Sequence, residues 1–230
     1  MNIIGLLLWR GKKLITVASM PRAMFKCRSG LPYQTFLCDA IIDCPDSWDD
    51  EDFCPFQCSS MAPKCQCLHL EADCSKLALN FLPDIEPQIN RYNLSFNNLS
   101  QALTEDSFLG RSNLVYLDLS FNGIEHLASG VFKPLWRLRI LILTNNFISH
   151  LTKGAFEGLH NIRTLDIRGN RLTSLGSMAF YGLSILATLD LSKQNLSEIS
   201  PKTFVGLRNL TSLSLSQELF IIIRNWHFSD

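Results

Sequence analysis

The chain has no cysteine after Cys74, although eight occur up to and including that residue, and none of them forms a C-x-x-C pair. The downstream region therefore has to be held together by something other than disulfides. Paired zinc-knuckle spacing is missing too, so the clustered, even cysteine set points to disulfides and an oxidising compartment rather than to a Cys-rich zinc site, the weaker alternative. No apolar run approaches the roughly 20 residues a membrane-spanning helix requires, so the chain as written is not expected to span a bilayer. No G-x-S-x-G, H-E-x-x-H or phosphate-loop motif occurs, and the five histidines are scattered, so an enzyme is not expected. Net charge is also lacking, with 21 basic against 21 acidic residues. That balance gives no reason to invoke nucleic acid or an anionic membrane. Only locally does it fail: residues 1–38 carry six Lys or Arg and no acid, whereas Asp39–Asp52 carries seven acids and no base.

What the chain does contain is repetition. From Ile89 to Ser216 one pattern recurs about six times, beginning at Ile89, Leu114, Leu138, Ile162, Leu186 and Leu210 in steps of 25 and then four times 24 residues. A second apolar ladder keeps step with it: Phe108, Phe132, Phe156, Phe180 and Phe204, followed by Leu135, Leu159, Leu183 and Leu207. The pattern reads L-x-x-L-x-L-x-x-N-x-L and resembles leucine-rich repeats. The expected fold is an α/β-class leucine-rich-repeat solenoid with a parallel concave sheet and an irregular or short-helical convex side, preceded by a small disulfide-rich module. The L-x-L segments predict short strands with leucines inward and the alternate residues outward. Asn97, Asn122, Asn146 and Asn170 fall where the chain turns out of the strand. Their phase places them inward, where an amide satisfies backbone donors and acceptors together; the alternative is a row of surface turn formers. Gln194 and Glu218 depart from this position. After Ser216 the pattern dissolves, and because terminal coils need caps, more repeats or a folded-back plug over 220–228 is expected.

The outward strand positions form the candidate binding face. Neighbouring strands lie about 4.8 Å apart, so Asp166 and Asp190 are placed to bracket one guanidinium. Asp118, Asp166 and Asp190 are expected to receive basic side chains of a peptide, with Tyr116, Ile140 and Ile142 as an apolar contact. The plain alternative is that outward residues are polar because they face water. His126 and His150 share a phase in adjacent repeats, which brings them near each other. A metal pair is possible there, but repetition alone explains the spacing. Four N-x-S/T sequons, at Asn93, Asn98, Asn195 and Asn209, are candidate glycosylation sites and agree with an extracellular setting.

The N-terminal part divides further. Residues 1–24 form an atypical segment, a degenerate version of a secretory signal whose bases follow its apolar run instead of preceding it. In 25–54, Phe25 with Cys27, Phe36 before Cys38-Asp39, Asp43-Cys44, and Asp50-Glu51 before Cys54 resemble a low-density-lipoprotein receptor class A module. The resemblance implies calcium held by the side chains of Asp39, Asp43, Asp50 and Glu51 and the carbonyls of Phe36 and Ile41, with one inserted residue before Cys54 leaving Asp49 as the alternative to Asp50; clustered hard oxygens suit that ion. It also implies bridges Cys27–Cys44 and Cys38–Cys54, with the family's first and third cysteines absent together. A solvated acidic loop is the alternative. In 55–88 the spacing C-x6-C-x-C-x6-C resembles the cysteine-rich cap that precedes extracellular leucine-rich repeats, which implies Cys58–Cys67 and Cys65–Cys74, although spacing alone permits other connectivities. Residues 89–216 hold the repeats and 217–230 an irregular tail.

Class A module, cysteine cap and 24-residue repeats in this order resemble the ectodomain of relaxin-receptor-type leucine-rich-repeat G-protein-coupled receptors. That implies the extracellular ligand-binding region of a hormone or peptide receptor at the plasma membrane, with membrane contact only through a seven-helix domain this chain lacks. The alternative is a secreted leucine-rich-repeat adhesion or matrix protein that binds another protein.

Overall fold

The computed structural model of the chain describes residues 65–215 except His69, Ala102 and Lys153, together with the backbone of two short strands further upstream. The chain divides into two compact units, Met1–Cys54 and Pro55–Asp230. In the first, β1 (Ala23–Lys26) pairs antiparallel with β2 (Pro32–Thr35), with Phe25 opposite Tyr33. The calcium-ligand candidates Phe36, Asp39, Ile41, Asp43, Asp50 and Glu51 lie outside the described residues, as do Cys27, Cys38, Cys44, Cys54 and Cys58.

The second unit is built on one sheet of eight strands. β3 (Gln66–Leu68) and β4 (Glu71–Asp73) form an antiparallel hairpin, and Cys65 is bonded to Cys74 across its open end. Cys67 is disulfide-bonded as well; Cys58, expected as its partner, lies outside the described residues. From β4 onward every strand is parallel to the one before: β5 (Arg91–Asn93), β6 (Tyr116–Asp118), β7 (Ile140–Ile142), β8 (Thr164–Asp166), β10 (Thr188–Leu191) and β12 (Ser212–Leu215). Two shorter strands, β9 (Ser174–Leu175) and β11 (Glu198–Ile199), pair in a separate parallel ladder. The hairpin turns the sheet's first edge into a disulfide-pinned cap, one way to protect the open backbone groups an edge strand exposes.

The register follows the sequence period. Leu117, Leu141, Leu165 and Leu189 lie side by side across β6, β7, β8 and β10, and each is fully buried. Burying such a side chain contributes about 1.5–3 kcal/mol, and no coil could do it without its neighbours. On the returning side the five phenylalanines stack in sequence, with ring centroids 5.9, 6.4, 5.9 and 6.0 Å apart from Phe108 to Phe204. This return runs as tight turns; among the described residues it contains no regular helix.

The asparagines do point inward. Asn146 is 2% exposed; its Oδ1 accepts from the backbone N–H of Asn122 and Ile124, and its Nδ2 donates to the carbonyls of Leu119 and Leu143. Asn170 repeats the arrangement with Ile148, Leu143 and Ile167. Gln194 departs in sequence but not in role. Its Nε2 donates to Ile167 O at 2.6 Å and its Oε1 accepts from Leu172 N at 3.2 Å, the contacts an asparagine makes one coil earlier. Glu218 lies outside the described residues. Asn122 is the weak joint: its Nδ2 donates to Leu94 and Ser120, but its buried Oδ1 has no hydrogen-bond partner. The step into this repeat is the long one, 25 residues instead of 24.

Candidate ligand-binding face

The outward side chains of β5 to β10 form one surface, ordered by the strand register. Arg91, Tyr116, Ile140, Thr164 and Thr188 make one row; Asn93, Asp118, Ile142, Asp166 and Asp190 make the next. The six candidate ligand-binding residues, Tyr116, Asp118, Ile140, Ile142, Asp166 and Asp190, therefore share a face, and each is half-buried by its neighbours across the strands. The face has three parts. At its first end Glu71 pairs with Arg91, whose guanidinium lies 4.3 Å from the Tyr116 ring centroid, and the Tyr116 hydroxyl is 3.4 Å from Asp118 Oδ2. In the middle, β7 contributes only Ile140 and Ile142. At the other end Asp166 and Asp190 stand on adjacent strands.

The bracket between those two acids already holds a guanidinium, and it belongs to the chain itself. Arg168 Nη2 is 3.4 Å from Asp166 Oδ2, and its Nη1 is 3.9 Å from Asp190 Oδ2. A ligand cation arriving there competes with Arg168. Such half-exposed pairs are individually weak, about 0–1 kcal/mol, so Arg168 is a displaceable occupant.

The acids also carry a structural duty. Asp118 Oδ1 accepts from Ser120 N at 2.8 Å, Asp166 Oδ1 from Arg168 N at 3.1 Å, and Asp190 Oδ1 from Ser192 N at 2.8 Å. Asp73 and Asn93 make the same bond to Ser75 and Ser95. Each is an Asx turn that ends the strand. The recurrence of Asp or Asn two residues before Ser or Arg was the available sequence signal. Only one carboxylate oxygen is used in this way; the other meets the Tyr116 hydroxyl in Asp118 and the Arg168 guanidinium in Asp166 and Asp190. Ile142 makes no such turn, and nothing in the strand's geometry calls for an outward-facing isoleucine there.

Burial dominates the electrostatics of the face. It raises the Asp166 carboxyl above its ordinary value; the Arg168 backbone bond and guanidinium oppose the shift, while Asp190 and Asp118 add to it. Burial likewise raises the Tyr116 hydroxyl, helped by the nearby Asp118 charge.

The other predicted positions fall elsewhere. His126 and His150 are exposed, with ring centroids 5.0 Å apart. Among the described residues no third His, Cys, Asp or Glu joins them to make a metal-holding group of three. Asn98, Asn195 and Asn209 are exposed, whereas Asn93 is half-buried on the sheet face. Among the described residues no helix is long and apolar enough to cross a membrane.

Comparison with known proteins agrees with this architecture. A solved structure described as a TLR13–ssRNA13 complex superposes with a TM-score of 0.55 at 30% identity, over 56% of this chain and 18% of that one. The chain thus spans less than a fifth of that relative's length. The family profile described as "Leucine rich repeat" matches in four overlapping stretches, residues 87–146, 112–172, 136–183 and 160–220. On these matches, which together run through most of the second unit, the chain belongs to the leucine-rich-repeat family.

Proposed function

We propose that the chain is the ligand-binding part of an extracellular leucine-rich-repeat receptor, and that a peptide or protein docks on the outward face centred on Ile142. One observation carries this reading. Ile140 and Ile142 form an apolar stripe on β7, flanked by Tyr116 and Asp118 on one side and by Thr164 and Asp166 on the other. Interfaces are built this way, with apolar residues at the centre and polar groups at the rim. The acids favour a ligand whose apolar anchor carries a neighbouring cation. The finer reading, a relaxin-receptor-type G-protein-coupled receptor, draws its support from the class A-like spacing upstream. By that resemblance calcium belongs to the first unit, on residues outside the described ones, and no step of ligand capture depends on it here.

The TLR13–ssRNA13 relative raises nucleic acid as a second reading. The surface chemistry disfavours it: Asp118, Asp166 and Asp190 face outward, and Arg168 is paired to two of them. Phosphate binding calls for unpaired basic groups. The test is photocrosslinking of the secreted chain to a basic peptide hormone of the relaxin type. A photoreactive phenylalanine replaces Ile142 in one version and the exposed Trp136, which lies on the returning side, in another. Crosslinking from position 142 but not 136 is expected. Crosslinking only from 136, or competition by single-stranded RNA, contradicts the proposal.

A further inference from the structure

Where the strands turn out of the sheet, the chain carries a second concave feature that the binding face does not use. It is a groove of about 600 Å3 whose lining includes Asn98, Phe121, Asn122, Gly123, Asn146 and Phe147. Phe121 and Phe147 are 43% and 42% exposed, and the neighbouring Phe96 is 47% exposed, in contrast to the buried phenylalanine ladder of the returning side. Phe121 is held outward at a cost, because its φ of 55° lies in the left-handed region that bulky residues avoid. Two contacts fix the walls. Phe96 stacks on Phe121 with centroids 4.3 Å apart, and the Arg171 guanidinium lies 3.9 Å from the Phe147 ring centroid.

Asn98, Gly123 and Phe147 occupy the same phase in three successive repeats. The middle one has no side chain, so the groove runs open from Asn98 to Phe147. A Cβ added at Gly123 would meet only Ser100 Cβ, at 3.9 Å, so the gap is clear of the protein's own atoms. Two strand spacings make this span about 10 Å, the length of two linked sugars. Asn98 begins the sequon Asn98-Leu99-Ser100, and it is exposed. Its backbone N–H is pinned to Leu79 O at 2.7 Å.

From this geometry we propose that the groove seats the first two sugars of an N-linked glycan carried by Asn98. Attachment joins Asn98 Nδ2 to the anomeric carbon of a lipid-diphosphate-linked oligosaccharide. The sugar–phosphate bond breaks, the lipid diphosphate leaves, and the amide gives up one proton. The chain then runs over Gly123, the apolar faces of its sugars against Phe121 and Phe147. Asn195 and Asn209 are exposed sequons that do not line this groove, so they serve as internal controls. The inference holds whatever ligand the sheet face takes.

The test uses the full chain secreted from a eukaryotic cell. Glycopeptide mass spectrometry reads occupancy, and an endoglycosidase that cuts between the first two sugars reads their protection. Asn98 is expected to carry a glycan, cut several-fold more slowly than those at Asn195 and Asn209 in the native protein and at the same rate after unfolding. Phe147→Ser removes one wall and is expected to abolish the protection. Gly123→Asn, which keeps a residue tolerant of positive φ, fills the groove with the same result should Phe147→Ser not fold. Asn98→Gln is expected to lower Tm by about 2–4 °C. An unmodified Asn98, cleavage there as fast as at the controls, or protection that survives in the folded groove variants overturns the proposal.

Discussion

Leu141 and Ile142 are neighbours in sequence and both aliphatic, yet they sit on opposite sides of the same strand and do different work. Leu141 is fully buried between Leu117 and Leu165, while Ile142 stands half-exposed between Asp118 and Asp166. The inner side is nearly the same in every coil, because each coil completes its neighbour's core. The outer side varies from strand to strand: Asn93, Asp118, Ile142, Asp166, Asp190. Sameness marks the part that holds the fold, and variation marks the part free to recognise something.

The largest effects are expected on the inner side. Asn146→Ala removes five buried hydrogen bonds and leaves backbone groups of two coils unpaired. A loss of about 4 kcal/mol is expected by chemical denaturation. Asn122→Ala is expected to cost about half as much, because its Oδ1 has no partner to lose. Equal losses would contradict the missing partner at Asn122 Oδ1.

Leu141→Ala is expected to cost about 3 kcal/mol through the cavity it leaves. Ile142→Ala, one residue along, is expected to change stability by less than about 1 kcal/mol. Comparable losses at the two positions would erase the distinction between the sides. Gln194→Asn sharpens the comparison further. The shorter amide withdraws from Ile167 O and Leu172 N, and a loss of about 1 kcal/mol is expected. A gain would mean the backbone there accommodates the ordinary residue.

The smallest effect belongs to the outer side and depends on pH. Burial raises the Asp166 pKa, so the folded state holds this proton more tightly than the unfolded chain does. Its contribution to stability is complete below the unfolded pKa and is lost as pH rises through the folded one. In Asp166→Asn that part of the slope disappears, while the amide oxygen still accepts from Arg168 N. The variant's Tm should therefore fall less than the parent's between about pH 4 and 7. An unchanged slope would contradict the assignment.

Much of this was legible in the sequence because period is a local property. The leucine phase gave the strand centres at Leu117, Leu141 and Leu165, the inward asparagines and the phenylalanine ladder. The Cys65–Cys74 bridge followed from the resemblance of the cysteine spacing to a cap. What stayed hidden depends on distances between coils. That Gln194 replaces an asparagine turns on how far one extra methylene reaches. That Arg168 lies between Asp166 and Asp190 turns on a side-chain direction that the alternation of strands leaves open. The strand-ending bonds of Asp118 and Asp190 left a visible D-x-S trace, but charge drew the reading toward ligands first. The left-handed Phe121 is visible only through its repeat equivalents: the same phase holds Asn145 and Gly169, residue types that favour positive φ, and Phe96, Asn145, Gly169 and Lys193 share that backbone conformation.

The central claim is that recognition lives on the outer side of β7. It is tested most directly by Ile142→Arg, with thermal unfolding and peptide-hormone binding measured on the same secreted preparation. The account predicts a Tm within about 2 °C of the parent and an affinity at least about tenfold weaker, because a cation then stands at the apolar centre of the face. A folded variant that binds the peptide as tightly as the parent would contradict it.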